Sequence, residues 1–276
     1  MQSRLIHIKG KLYTFNDLWI MAIINLSHES FFEHHKKLSD PSLIGHVENL
    51  ISDGADIIDI GALSTRPNAE LLSEKEEIKR FSTIISSLKK AFPSTLLSID
   101  SCNNETISFA IDEGADIIND ISGGMLSNDT FKKIARNNLA YILTYNRGGK
   151  YNRKIEKSHE NIVGDSLLFF SEKLAQLANL NVVDILIDPG FGFNKSLQDN
   201  FKLLKHASNL NILQRPTLFG LSRKSMIYNS LETTPENALN GTSVLNTFAS
   251  LNGANILRVH DVAEATELKK LLSLLN

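Results

Sequence analysis

Asp100, Asn119 and Asp188 each sit at the end of a short aliphatic run, in Ser98-Ile99-Asp100, Ile117-Ile118-Asn119 and Ile185-Leu186-Ile187-Asp188. Two carboxylates and one amide suit the donor-rich edge of a flat heterocycle such as an amino-pyrimidine, and Phe193 could cover its face. Arg66, Ser222, Lys224, Arg258 and His260 are cations or hydroxyl and ring donors, which suit a phosphate or diphosphate. Arg258 and His260 are two apart, so an extended segment carries both on one face. A helix beginning near Ser222 would add its dipole to that anion subsite. Asn25 ends the first aliphatic run, and the second reaches Asp59 before Ser64-Thr65-Arg66-Pro67. Together these side chains describe a polar heterocycle carrying a phosphate group.

Each residue also has a plainer role open to it. Asp188-Pro189-Gly190 is a competent turn. Ser222 could cap a helix, Asp59 could accept from a backbone amide, and His260 could be structural. Arg66 and Lys224 taken singly read as solvated charges. Cys102 is the single cysteine and reads as a packing residue. His28 stands alone and His34-His35 are adjacent, which is not zinc-ligand spacing. The plain readings do not explain why so many polar groups fall at the same place in successive runs.

That place is set by a repeat. Gly54-Ala55-Asp56-Ile57-Ile58-Asp59 recurs as Gly114-Ala115-Asp116-Ile117-Ile118-Asn119 and, more loosely, as Gly253-Ala254-Asn255-Ile256-Leu257-Arg258. Each copy follows a stretch with helical apolar spacing, so the glycine reads as a helix-ending residue at positive φ and the aliphatic pair as a buried strand. Eight such runs, at about 19–25, 56–61, 95–100, 116–120, 139–145, 184–188, 216–220 and 255–260, alternate with amphipathic stretches. Eight strand-helix units predict a closed (β/α)8 TIM barrel rather than an open doubly wound sheet, for which the glycine-rich turn after the first strand is missing. Barrel enzymes work at the carboxyl ends of the strands, where the polar residues gather here. Leu5–Ile8 and Leu12–Phe15 flank Lys9-Gly10-Lys11 and predict a β-hairpin over one end of the barrel. Asp40-Pro41, Ser73 with Glu76, and Thr234-Pro235 are helix-start signals. The polar stretch 146–158 reads as a mobile loop after the fifth barrel strand.

The chain has 276 residues, 42% hydrophobic and 22% charged, and is read as one domain, 1–276. A formal charge of −2 gives no basic excess for nucleic acid or an anionic membrane, so small molecules are the expected partners. Trp19–Ile24 is too short to span a bilayer, no leader is evident, and the lone cysteine suits a reducing compartment, so the expected location is cytoplasmic.

The order of these segments resembles dihydropteroate synthase, the folate-pathway enzyme that sulfonamides inhibit. The resemblance runs over nearly the whole chain. It rests on Ile23-Ile24-Asn25-Leu26-Ser27 through Phe31, on 54–61 with Ser64–Pro67, and on Ser98-Ile99-Asp100 and Ile118-Asn119-Asp120. Further along it rests on Asp188–Phe193, Ser222-Arg223-Lys224-Ser225 and Arg258-Val259-His260-Asp261. It implies condensation of 6-hydroxymethyl-7,8-dihydropterin diphosphate with p-aminobenzoate, with Mg²⁺ bound. It also implies that Asp100, Asn119, Asp188 and Lys224 hold the pterin, and that Asn25, Thr65, Arg258 and His260 hold the diphosphate, Asn25 through the magnesium. Arg66, Phe193 and Ser222 would border the aminobenzoate. The loops 27–32 and 64–69 would close over the site, and a homodimer would form through the later helices. Asp100, Lys224, Arg258 and His260 are the groups expected to act in catalysis.

Three departures stand out: Ser27-His28-Glu29 for Thr-Pro-Asp, Ala62-Leu63 for Gly-Glu, and Leu143-Thr144-Tyr145 for Met-His-Met. The last predicts a phenol packing near the pterin. The alternatives are a pterin-binding methyltransferase, which has no need of a diphosphate subsite, and a non-catalytic paralogue serving a partner enzyme. Diphosphate release separates both from a synthase.

Overall fold

The computed structural model describes residues 4–26, 41–62, 73–82, 84–146, 148 and 161–275. Asp40, Thr65, Arg66, the loops 27–32 and 64–69, Leu63 and residues 149–158 lie outside the described residues. The glycines of the repeat behave as their positions require: Gly54, Gly114 and Gly253 have φ of 108°, 106° and 99°. The amides of Ala55, Ala115 and Ala254 then reach back to Leu50, Ala110 and Ala249 at 3.0, 3.0 and 3.1 Å, satisfying carbonyls at three helix ends.

The third residue of each copy has a separate task. Asp56 accepts from the Ile20 amide at 2.8 Å, Asp116 from Leu97 at 2.9 Å and Asn255 from Thr217 at 3.0 Å. Each acceptor thereby ties the start of its own strand to that of a neighbouring one, which fixes the register at the amino-terminal end of the barrel.

The chain opens with a hairpin of β1 (Leu5–Ile8) and β2 (Lys11–Thr14), turning through Lys9 and Gly10, both at positive φ. The parallel strands follow: β3 (Trp19–Asn25), β4 (Ile57–Gly61), β5 (Leu96–Asp100), β6 (Ile117–Asp120), β7 (Ala140–Thr144), β8 (Ile185–Asp188), β9 (Leu218–Phe219) and β10 (Ile256–Val259). Their order is β8-β7-β6-β5-β4-β3-β10-β9, and a parallel bridge from Ile187 to Thr217 joins the two ends. This is the expected barrel. The helices that wrap it are α1 (Pro41–Ser52), α2 (Glu74–Phe81), α3 (Ile84–Ala91), α4 (Asn104–Asp112), α5 (Asn128–Arg136) and α6 (Ile162–Ala178). They continue with α7 (Leu197–Lys205), α8 (Ser225–Tyr228), α9 (Leu239–Leu251) and α10 (Val262–Ser273). Ser73 and Glu76 form the predicted reciprocal capping box ahead of α2.

Strand alternation divides the core in two. Met21, Ile57, Leu96, Ile117, Ile142, Leu186, Leu218 and Ile256 point inward, and Ile6, Ile8 and Phe15 of the hairpin region pack onto them. At about 1.5–3 kcal/mol for each fully buried large side chain, this plug closes the amino-terminal end and leaves the carboxyl end for chemistry. The alternate residues, among them Ile20, Ile58, Ile99, Ile118 and Tyr141, face the helices.

One helix start differs from expectation. Thr234-Pro235 opens a turn, and α9 begins only at Leu239 after Ala238. The carbonyls of Pro235 and Glu236 accept from Arg223 Nη1 at 2.8 and 2.6 Å, so they are engaged outside a helical ladder.

Candidate active site

Two residues further along β4, β6, β8 and β10, the inward alternation that makes the apolar plug delivers Asp59, Asn119, Asp188 and Arg258, and four further along β5 it delivers Asp100. The last residues of the three repeats, Asp59, Asn119 and Arg258, meet in one cluster inside the barrel. Asn119 Nδ2 donates to Asp59 Oδ2 at 3.1 Å, and Arg258 Nε donates to the same oxygen at 2.7 Å. Arg258 Nη2 donates to Asp100 Oδ2 at 2.6 Å. Asp59 is fully buried and Asp100 is 7% exposed. Burial pushes the Asp100 carboxyl up to about 7, against the downward pull of Arg258. Burial would lower the Arg258 guanidinium, but the two carboxylates more than offset it and hold it above its ordinary range.

The second half of the site is the turn after β8. Asp188 Oδ1 accepts from the Gly190 amide at 2.7 Å; burial raises its carboxyl, and Lys224 opposes that shift. Lys224 Nζ donates to the Phe191 carbonyl at 2.5 Å and lies 5.3 Å from the centre of the Phe193 ring. Withdrawal from solvent lowers the Lys224 ammonium to about 8, with Asp188 acting in the opposite direction. Gly190 has φ of 64°, and a Cβ there would come within 2.4 Å of the Tyr145 carbonyl, so this turn admits only glycine without rebuilding.

On the rim, Ser222 Oγ accepts from the His260 backbone amide at 3.2 Å and stands 3.1 Å from His260 Nδ1. The helix expected near Ser222 begins instead at Ser225 and has four residues, with Lys224 at its N-cap. Ser222 therefore neither caps it nor receives its dipole. Arg223, at φ 53°, explains the local geometry: its guanidinium turns away to grip Asp261 with two bonds, at 2.9 and 2.8 Å. A fork of this kind fixes the turn that carries Ser222 and Lys224.

Asp100, Asn119 and Arg258 thus share one network, while Asp188, Lys224 and Phe193 form its neighbour, and Ser222 with exposed His260 forms the rim. Asn25 ends β3 in register with Gly61 and is half-buried. Thr65 and Arg66 lie outside the described residues. Arg258, expected to hold the diphosphate with His260, lies between the carboxylates of Asp59 and Asp100. One expectation needs correction. Tyr145 is not beside the heterocycle subsite: it is 2% exposed and packs outward on Phe169 and Phe170, with centroids 5.1 and 6.2 Å away. Ala62 is likewise buried in the layer between barrel and helices.

Sequence reading missed Lys195. It is 5% exposed and donates to the carbonyls of Tyr145, Gly190 and Phe193 at 2.9, 2.8 and 3.1 Å. Burial lowers its ammonium to about 7. It staples the end of β7 to the Asp188–Phe193 turn, which a lysine in a polar loop does not announce. Lys195→Met is expected to leave those carbonyls without their donor and to cost about 2 kcal/mol, read as a lower urea midpoint at unchanged slope.

Among the described residues no three His, Cys, Asp or Glu side chains gather into a metal cage, and no helix is long and apolar enough to cross a membrane. Residues 21–260 match the model of the family described as pterin binding enzyme. The dihydropteroate synthase of Streptococcus pyogenes serotype M1 is 33% identical over 268 residues, covering 96% of this chain and 98% of that one. The mitochondrial folate synthesis bifunctional protein of Arabidopsis thaliana is 33% identical over 97% of this chain, which spans 51% of its length. Among solved structures, Xanthomonas albilineans dihydropteroate synthase with 4-aminobenzoic acid superposes with a TM-score of 0.88 at 29% identity, covering 99% of this chain and 98% of that one. Yersinia pestis dihydropteroate synthase in a sulfonamide drug complex gives 0.89 at 30% identity, covering 98% of each chain.

Proposed function

The chain belongs to the pterin-binding enzyme family, among its dihydropteroate synthases, and we propose that the mouth of its barrel is where the reaction of that enzyme takes place. It is a transferase of folate synthesis, joining 6-hydroxymethyl-7,8-dihydropterin diphosphate to p-aminobenzoate with loss of diphosphate. The observation that carries the reading is the pairing of buried acceptors, Asp100, Asn119 and Asp188, with the cations Arg258 and Lys224 at the carboxyl end of the barrel.

The acceptors match the amino-pyrimidine edge of the pterin, and Lys224 offers an ammonium beside Asp188 to a ring acceptor. Diphosphate departure leaves positive charge on the pterin methylene, which the carboxylates around the ring stabilise electrostatically. No covalent nucleophile is required. The aminobenzoate nitrogen then attacks that carbon and loses a proton, with Phe193, Ser222 and Arg66 bordering its pocket. Ser222, His260 and Thr65 supply donors to the diphosphate.

Asn25 would hold magnesium through its amide oxygen, a fit for an ion that takes few protein ligands and keeps several waters. When bound it neutralises charge on the departing group. Cytoplasmic location, homodimer formation and sulfonamide competition for the aminobenzoate pocket belong to the same proposal. The exposed Val244 and Leu251 of α9 and Leu271 of α10 are apolar surface suited to a dimer contact.

The inward acceptors and rim donors also suit a synthase better than a methyltransferase. Of the departures that could have signalled a non-catalytic paralogue, Ala62 and Tyr145 fall in the outer layer, Thr144 lies opposite Asp188 on the inward face, and Leu63 lies outside the described residues. Supplied with both substrates and Mg²⁺, the purified protein is expected to release one diphosphate per dihydropteroate formed. Absence of both products under conditions where a control synthase turns over would refute the proposal.

A further inference from the structure

The position of Asp59 bears on how Arg258 can serve a ligand at all. Asp59 and Asp100 hold the same guanidinium from different depths. In the strand register Asp59 lies opposite Ser98, two residues below Asp100 on the same inward face. Asp59 is fully buried, whereas Asp100 retains 7% exposure at the mouth. A ligand entering from the mouth therefore reaches Asp100 first. Asp59 is also the shared acceptor of Asn119 Nδ2 at 3.1 Å and Arg258 Nε at 2.7 Å, so it orients two ligand-facing side chains at once.

We propose that Asp59 is the fixed anchor of Arg258 and Asn119, and that Asp100 is the exchangeable one, releasing Arg258 to accept the donor edge of the pterin. Asp59 is then a positioning residue, and the proposal rests on the pterin-binding reading above. The physical logic is one of replacement. A guanidinium stripped of both carboxylates at this depth would be an uncompensated buried charge. With Asp59 retained, Asp100 can turn to the ligand while Arg258 stays charged and in place. The groups acting on Asp100 are Arg258, Asp59, Glu77 and Asp120, and only Arg258 opposes the upward push of burial.

Asp59→Asn keeps the shape and removes the anchoring charge. Arg258 then has Asp100 as its one carboxylate, competes with the pterin for it, and pulls its carboxyl down. The expected result is a rise of about thirtyfold in the pterin diphosphate KM, with the aminobenzoate KM within about twofold of wild type. The acid limb of pterin binding, measured by calorimetry, moves to lower pH. Equal weakening of both substrates with an unmoved acid limb would assign Asp59 a general structural role and overturn the proposal, as would wild-type kinetics. Should Asp59→Asn not fold, a crystal structure of unliganded Asp100→Asn decides independently. Arg258 still bonded to Asp59 supports the anchor, and Arg258 swung to another partner overturns it. Wild-type protein that binds no pterin diphosphate would defeat the functional reading itself, an outcome distinct from either of these.

Discussion

Asp188→Ala is expected to lower kcat/KM for the pterin substrate by about three orders of magnitude, equivalent to about 4 kcal/mol of lost transition-state stabilisation. Three separate things fail together. The Gly190 amide loses its acceptor at 2.7 Å, which loosens the turn that carries Phe191 and Phe193. Lys224 loses the carboxylate that sustains its charge; since burial already draws its ammonium down to about 8, the remaining shift is further downward. The pterin loses an acceptor that should face its ring. Asp188→Asn separates these effects, because the amide keeps an acceptor for Gly190 while removing the charge. It should recover most of the folding stability and little of the activity. Steady-state kinetics with each substrate varied in turn, beside urea unfolding of both variants, checks the split. A kcat/KM within tenfold of wild type for Asp188→Ala would remove this residue from the pterin subsite.

How much of this site could be read from the chain depends on the distance over which each feature is encoded. The glycines at 54, 114 and 253 and the polar residue five places on are local signals, and their roles follow from helix ends and strand alternation. Alternation also contained the answer for Tyr145: if Thr144 faces inward, its neighbour must face the helices. Alignment to the family pattern, which puts Tyr145 in place of a methionine near the ligand, points the other way. Long-range choices were not readable. Arg258 and Asp59 are 199 positions apart, and nothing local says whether an arginine at a strand end turns up to the rim or down into the barrel. The carboxylates of Asp59 and Asp100, on strands across the barrel, decide the matter electrostatically. Lys195 was hidden for a related reason: its partners are backbone carbonyls, which every residue type possesses, so no pattern of side chains marks it.

Arg258→Gln is expected to abolish turnover to within about a thousandth of wild type and to destabilise the fold by about 3–5 kcal/mol, because it leaves buried carboxylates without their cation. The pH dependence gives the sharper test. In the wild type the Asp100 carboxyl is raised to about 7, and Arg258 is the group that limits the rise. Without Arg258 its folded value moves higher still, while the unfolded value stays near the ordinary carboxylate range. A folded value above the unfolded one means that the native state binds the extra proton, so stability is lost as pH climbs from the unfolded value to the folded one. For wild type that loss is complete near pH 7; for the variant it continues above it. The stability difference between the two proteins should therefore be smaller at pH 6 than at pH 8, and acidification should partly rescue the variant's unfolding midpoint without restoring activity. Arg258→Lys provides the geometric control, since a single ammonium preserves the charge but cannot reproduce the fork that spans Asp59 and Asp100. It should recover stability and remain impaired in pterin binding. A variant deficit that is constant from pH 6 to pH 8 would mean that Asp100 does not feel Arg258 in solution, and the paired arrangement inside the barrel would have to be abandoned.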